Sequence, residues 1–224
     1  MANDYPAGFA QPTDSAGEFN RTRFQILQAL LKVQTSMPVR VVSCTNSGGL
    51  SPVGTVNVVP MVHQVDSSGN AIPHTTIFNI PYSRAQGGTN AIIIDPQPGD
   101  IGVCVFASRD ISKIKNTKAP GNPGSHRNHS FSDGMYIGPL LNAVPTQFIQ
   151  FNADAITITS PTAIHLNAPI VNITASTSFG ITSPHSSCHG QFDLIDGNLT
   201  DNGTVLHTHV HTSSTAGTPT SEPI

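Results

Sequence analysis

The chain has 224 residues, of which 10% are charged, and a formal net charge of −3. That is long enough for one ordinary domain with an appendage, or for two small ones. The charge is too small and of the wrong sign to neutralise a phosphate backbone, so no nucleic-acid partner is expected. Charged residues fall well below the roughly 25% of ordinary soluble domains, while Gly, Pro, Ser, Thr and Asn are abundant, which favours β-structure with many turns.

Every Lys and Arg lies at or before Arg127, and the remainder of the chain carries only scattered acids and histidines. Cys44, Cys104 and Cys188 are widely spaced, odd in number and free of any C-x-x-C pattern. Neither a disulfide framework nor a zinc ribbon is suggested, and synthesis in a reducing compartment is expected. The N-terminus lacks a basic segment followed by an apolar run, and no stretch approaches bilayer length, so the expectation is a soluble protein without an export signal.

Residues 1–13 are rich in Pro, Gly and Ala and read as a terminal arm. Ser15 and Glu18 have the spacing of a capping box. Behind them Phe19, Arg23, Ile26, Leu27, Leu30 and Leu31 follow helical spacing, with Pro38 as the stop. The spacing predicts one amphipathic helix, so that 1–37 form an arm and a helix whose apolar stripe packs on its own domain or on a partner subunit.

From Val39 the texture changes to short apolar segments between turn residues: VRVVSC, GTVNVVPMVHQV, TTIFNIPYSR, NAIIIDP and DIGVCVFASRDI. Turns are marked by Asp66 to Asn70, by Gly87 and Gly88, and by Pro96 to Asp100. Five β-rich segments within 38–112 suit a small barrel of the OB type, with a small sandwich as the alternative. Residues 113–147 read as a connector; its Lys113, Lys115 and Lys118 suggest a solvated loop face, or else an anionic ligand. Loops 95–99 and 109–115 are candidate contacts for whatever grips this domain.

Residues 148–205 carry the feature that decides the predicted architecture. Four consecutive octads each place two apolar residues two apart: Ile156 and Ile158, Ile164 and Leu166, Val171 and Ile173, Phe179 and Ile181. Such spacing puts both residues on one face of a strand, and Ser-Pro, Ala-Pro or Ser-Thr then turns the chain. Two inward residues per repeat cannot enclose a core within one chain. Three copies wound about one axis can, each supplying one wall of a prism and protecting the others' strand edges. A single-chain β-helix is the alternative, but it needs longer coils to go once around.

The last segment, 206–224, contains His207, His209 and His211, alternating with Thr208 and Val210. In an extended strand all three imidazoles point the same way. Two from each of three chains give six nitrogens, which suits an octahedral first-row transition ion such as Fe, Co or Ni, whereas structural zinc prefers four ligands. A shell saturated by protein nitrogens leaves no open position and argues for a structural ion over metal catalysis. Three histidines per chain exceed one octahedron. His209 and His211 are preferred as ligands, with His207 in a supporting position or as the alternative to His211.

These residues resemble those of the central spike of contractile-tailed bacteriophage baseplates, the membrane-piercing protein at the tip of the tail tube. IFNIPYSRAQGGTNAIIIDPQPGDIGVCVFASRDIS and the later SFSDGMYIGPLLN look like that family's N-terminal barrel, and L-H-T-H-V-H-T before a Gly/Thr/Pro-rich tail looks like its H-x-H apex. The resemblance implies a homotrimer in the virion, at the baseplate tip, made in the host cytoplasm. Its OB-fold domain would dock on the baseplate hub or tail tube, a triple-stranded β-helix would come next, and one Fe ion per trimer would sit on the threefold axis. The family motif falls on His209 and His211, and the extra His207 departs from it. Its transient target would be the host outer membrane. Nothing resembles the lysozyme domain inserted in some relatives.

Two other function classes are weighed against a piercing spike. A β-helical glycan-degrading enzyme needs paired carboxylates or a base with a charge stabiliser. The acids beyond residue 148 are Asp154, Asp193, Asp196, Asp201 and Glu222, none accompanied by Lys or Arg. Cys188 and His189 are adjacent, so in a strand they point to opposite faces. A trimeric receptor-binding fibre shares the shaft, but adhesins usually end in a broad head, and few residues lie beyond the last histidine. The expectation is a non-enzymatic spike.

Overall fold

A computed structural model of the chain describes residues 10–66, 68–195, 197–201 and 204–205. In chain order its elements are helix α1 (Glu18–Leu30), strands β1 (Ser36–Cys44), β2 (Thr55–Pro60), β3 (Gln64–Val65), β4 (Ala71–Ile72), β5 (Ile77–Pro81), β6 (Ala85–Gly87), β7 (Asn90–Ile92) and β8 (Ile101–Phe106). Helix α2 (Ser112–Thr117), β9 (Gly134–Pro139), β10 (Phe148–Phe151), β11 (Ile156–Thr159), β12 (Thr200–Asp201) and β13 (Thr204–Val205) follow, with short 3-10 turns at Pro12–Ser15 and Phe131–Asp133. The protein is mainly β, as its composition predicts. None of the described helices is long and apolar enough to cross a membrane. Contacts divide the chain into two units, 1–162 and 163–224.

The first unit is organised by a five-stranded sheet in the order β5-β2-β1-β8-β9. Every pairing in it is antiparallel. The sheet curls until its two edges meet, with a parallel bridge between Tyr82 and Tyr136 and the Ser83 N–H donating to the Tyr136 carbonyl at 2.9 Å. Strand β1 makes the curl. It is long enough to pair with β8 over Ser36–Arg40 and with β2 from Val39 onward, and its register shifts between Val41 and Ser43. An extra residue at such a bulge bends the strand and increases its twist.

Alternation puts one face of each strand inside. Val39 and Val41, Val56 and Val58, Ile80, and Cys104 and Phe106 meet Tyr82 and Tyr136 in one buried cluster. Gly102 lets two elements approach closely, since a Cβ there would collide with the Gly138 carbonyl and the Tyr136 ring. Burial pushes the Tyr136 hydroxyl up to about 12 and the Cys104 thiol up to about 12, so both stay neutral in the core.

Local readings hold at the turns and shift at the helix and the fourth segment. Asp66 closes the β3–β4 turn by accepting from the Ser68 and Asn70 N–H groups at 2.8 Å each, and Gly69 takes a left-handed φ of 84° there. The capping box predicted for Ser15 and Glu18 does not form. Pro12 opens a short 3-10 turn over Pro12–Ser15, the Ser15 hydroxyl is used on the Pro12 carbonyl, and Gly17 is the N-cap of α1. Nor does Pro38 stop the helix, which ends at Leu30; Pro38 lies inside β1 opposite Val103. The NAIIIDP segment does not join the large sheet, because β7 pairs back on β6 across the Gly88 turn. The fifth strand of the sheet is β9, from the stretch read as a connector.

Strands β10 and β11 form a separate antiparallel hairpin, Phe148 opposite Thr159 and Phe151 opposite Ile156. In the second unit β12 and β13 pair as another. Between 163 and 195 no strand is assigned among the described residues, because the later octads have no ladder partner within one chain.

Candidate functional site

His207, His209 and His211 lie outside the described residues, as do Asp196 and Glu222. What the structure describes is the segment leading to them. Ile164, Leu166, Ile170, Val171, Ile173, Phe179 and Ile181 are all exposed in the single chain, Leu166 to 73% and Ile181 to 70%. The hairpin before them repeats the pattern, with Ile149, Phe151, Ile156 and Ile158 open to solvent. Among the described residues these large apolar side chains recur along the sequence without being buried, while the five-stranded sheet buries its own. Patches of this extent mark surfaces made for association.

Asp193 accepts one hydrogen bond from the Gln191 amide at 2.8 Å. Cys188 is exposed and His189 is exposed. No group of three or more His, Cys, Asp or Glu that could hold a metal occurs among the described residues.

No protein-family model matches the chain, and no curated protein matches it.

Charged groups that the sequence reading passed over are concentrated in the barrel. Asp95 is buried and forms an ion pair with buried Arg84. Its carboxylate also accepts from the Tyr82 hydroxyl at 2.5 Å and from the Gly48 N–H at 2.8 Å, and Arg84 donates onward to the Ser51 carbonyl at 2.8 Å. Burial pushes this carboxyl up, but the bonds from Tyr82 and Arg84 outweigh it and hold Asp95 below the usual range. Loop 95–99, read as a contact loop, is thus anchored at its first residue. A cleft of 380 Å³ beside it is lined by Ile92, Ile94, Ile137 and Pro139, with Asp95 and Asp100 at its wall. Asp100 accepts from the Gln97 N–H and the Asn142 amide.

A second network pins the stretch between α2 and β9. Arg127 grips fully buried Asp133 with two bonds of 2.7 and 2.8 Å and reaches Asp110 at 2.9 Å. The Ser112 N–H and the Ser125 hydroxyl complete the Asp110 shell. Hydrogen bonds from Ser112 and Ser125 bring Asp110 down to about 2, and the Arg127 guanidinium holds Asp133 low. Lys115, one of the three lysines read as a solvated face, instead donates to the Ser132 carbonyl at 2.8 Å and the Asn79 carbonyl at 3.3 Å. The only sequence signal for these groups was Arg and Asp placed singly within apolar or Gly/Pro-rich segments, which does not say who pairs with whom.

Proposed function

We propose that this protein is a structural, membrane-piercing spike: a homotrimer at the tip of a contractile phage tail that punctures the host outer membrane as the sheath contracts. The observation that carries the reading is the array of octads in 148–205, whose apolar residues are exposed in the single chain. Three copies around one axis would bury those residues against each other and hide the strand edges that one chain leaves open. That arrangement is a triple-stranded β-helix, narrow and polar outside. The curled five-stranded sheet of the first unit supports reading it as an OB-type barrel, the part that would dock on the baseplate hub or tail tube.

The donor chemistry of the last segment fits a metal at the apex. Imidazoles of His209 and His211 from three chains would supply six nitrogens to one Fe ion, and no Lys or Arg lies beyond Arg127 to repel a cation. Such an ion, when bound, ties three chains at one point. The histidines orient and close the tip, and a filled shell leaves no position for substrate. Resistance to splaying under axial load comes from that closure together with the closed strands.

The test is native mass measurement with elemental analysis of the full-length protein. The expected result is the mass of three chains and about one iron per trimer. His209→Ala/His211→Ala should keep the trimer mass and lose the metal, while His207→Ala keeps both. A monomer without metal would sink the reading, and metal lost in His207→Ala but kept in His211→Ala would move the ligand pair to His207 and His209.

A further inference from the structure

Helix α1 contributes none of its residues to a buried core. Its half-buried positions, Asn20, Phe24 and Gln28, sit on one side of the helix. On the opposite side Phe19, Ile26 and Leu30 are 79%, 54% and 58% exposed. At 3.6 residues per turn the two sets lie on opposed faces, so the helix turns Phe19, Ile26 and Leu30 outward.

The outward residues have a specific spacing. Phe19, Arg23, Ile26 and Leu30 succeed one another by steps of four, three and four, the alternation that keeps a seam facing a partner helix in a coiled coil. Exposed Leu27 lies beside it. Arg23, at a seam position, can lay its stem along the contact and keep its head in water. The stripe is therefore shaped for another helix with the same pattern, and an identical helix has it by definition.

Length decides which helix. Thirteen residues make fewer than two heptads. Isolated helices of that size are marginal in water, so the seam is too short to recruit a free partner unaided. Its occupant has to be held nearby by something else. Copies of this chain joined through their shafts meet that condition, because a tether turns the second contact into an intramolecular one at millimolar effective concentration. We infer that α1 packs against the α1 helices of the other protomers through Phe19, Ile26 and Leu30, forming an N-terminal helical collar. This inference rests on the trimeric reading above.

Interchain disulfide trapping in the full-length protein tests it, in a Cys188→Ser background that removes the exposed native thiol. Ile26→Cys places a thiol in the seam; Arg21→Cys places one at an exposed position on the other side of the helix. Both are oxidised mildly and run under denaturing, non-reducing conditions, with native mass recorded on the same samples. A collar gives interchain dimer from Ile26→Cys at about tenfold the yield of Arg21→Cys, unchanged on tenfold dilution. Phe19→Cys repeats the measurement at a second seam position if Ile26→Cys folds poorly. A trimeric mass with no excess cross-linking at either seam position overturns the collar and leaves the trimer standing. A monomeric mass overturns the trimer, and the collar with it.

Discussion

Leu166→Ala separates the energetics of one chain from those of an assembled shaft. The side chain is 73% exposed in the single chain, so about three-quarters of its burial free energy can be gained only by association. Complete burial of a leucine is worth about 1.5–3 kcal/mol, which leaves about 1–2 kcal/mol per chain for the contact with partners. Each substitution is made three times in a trimer, for a total of about 3–6 kcal/mol, and any cavity left on the axis adds to it. At about 1.4 kcal/mol per decade, the trimer's dissociation constant should rise by about two to four orders of magnitude. Native mass measured over a dilution series reads this directly, with His165→Ala as the comparison, since His165 alternates with Ile164 and Leu166 and points the other way. Equal dissociation of wild type and Leu166→Ala, or equal weakening by His165→Ala, would refute the argument that these residues line an axis.

Three predictions concern the barrel. Gly102→Ala forces a Cβ into the Gly138 carbonyl and the Tyr136 ring and should cost about 1–3 kcal/mol in chemical denaturation; an unchanged midpoint would mean that the sheet relaxes there freely. Asp110 and Asp133 have folded pKa values below the unfolded value of about 3.9. The stability they contribute is therefore present above about pH 4 and is lost as pH falls toward about 2. Thermal melts monitored by circular dichroism should drop across that window in wild type and less in Asp110→Asn, and identical slopes would remove the network from the account. Asp95→Asn should lower the melting midpoint more than the double change Arg84→Met/Asp95→Leu, because the single change strands the buried guanidinium while the double removes both charges. The reverse order would show that Arg84 reaches water once its partner is gone.

Much of the local structure was legible in the residues. The strands around Val39 to Cys44, Val56 to Val58 and Gly102 to Phe106 alternate with period two, and the Asp66 and Gly88 turns arise from side chains that favour those backbone angles. The helix was legible as a helix, but not its start. Pro12 and Ser15 supplied a competing 3-10 turn, and that competition is settled by local geometry that pattern spacing does not encode. The fifth strand, Gly134–Pro139, lies in the stretch read as a connector, because GMYIGP carries two glycines and a proline and shows no clean alternation; only the family resemblance set that stretch with the N-terminal domain. It becomes a strand only because β8 offers an edge and Tyr136 fills the space over Gly102.

The sequence by itself led to the expectation that the second half of the chain does not make its own core: two apolar residues per octad, separated by turn residues, are too few to enclose one. It also spaced His207, His209 and His211 so that an extended strand would turn all three the same way. Only the tertiary structure decided how the first half closes, bringing Tyr82 beside Tyr136 and Arg84 onto Asp95. Tyr82 and Tyr136 are far apart in the chain and meet through the curl that β1 imposes on the sheet, whereas Arg84 and Asp95 meet across the β6–β7 hairpin that lies between them. Periodicity is a local property and is written in the residues one after another, whereas the pairing of buried charges depends on where the fold carries them.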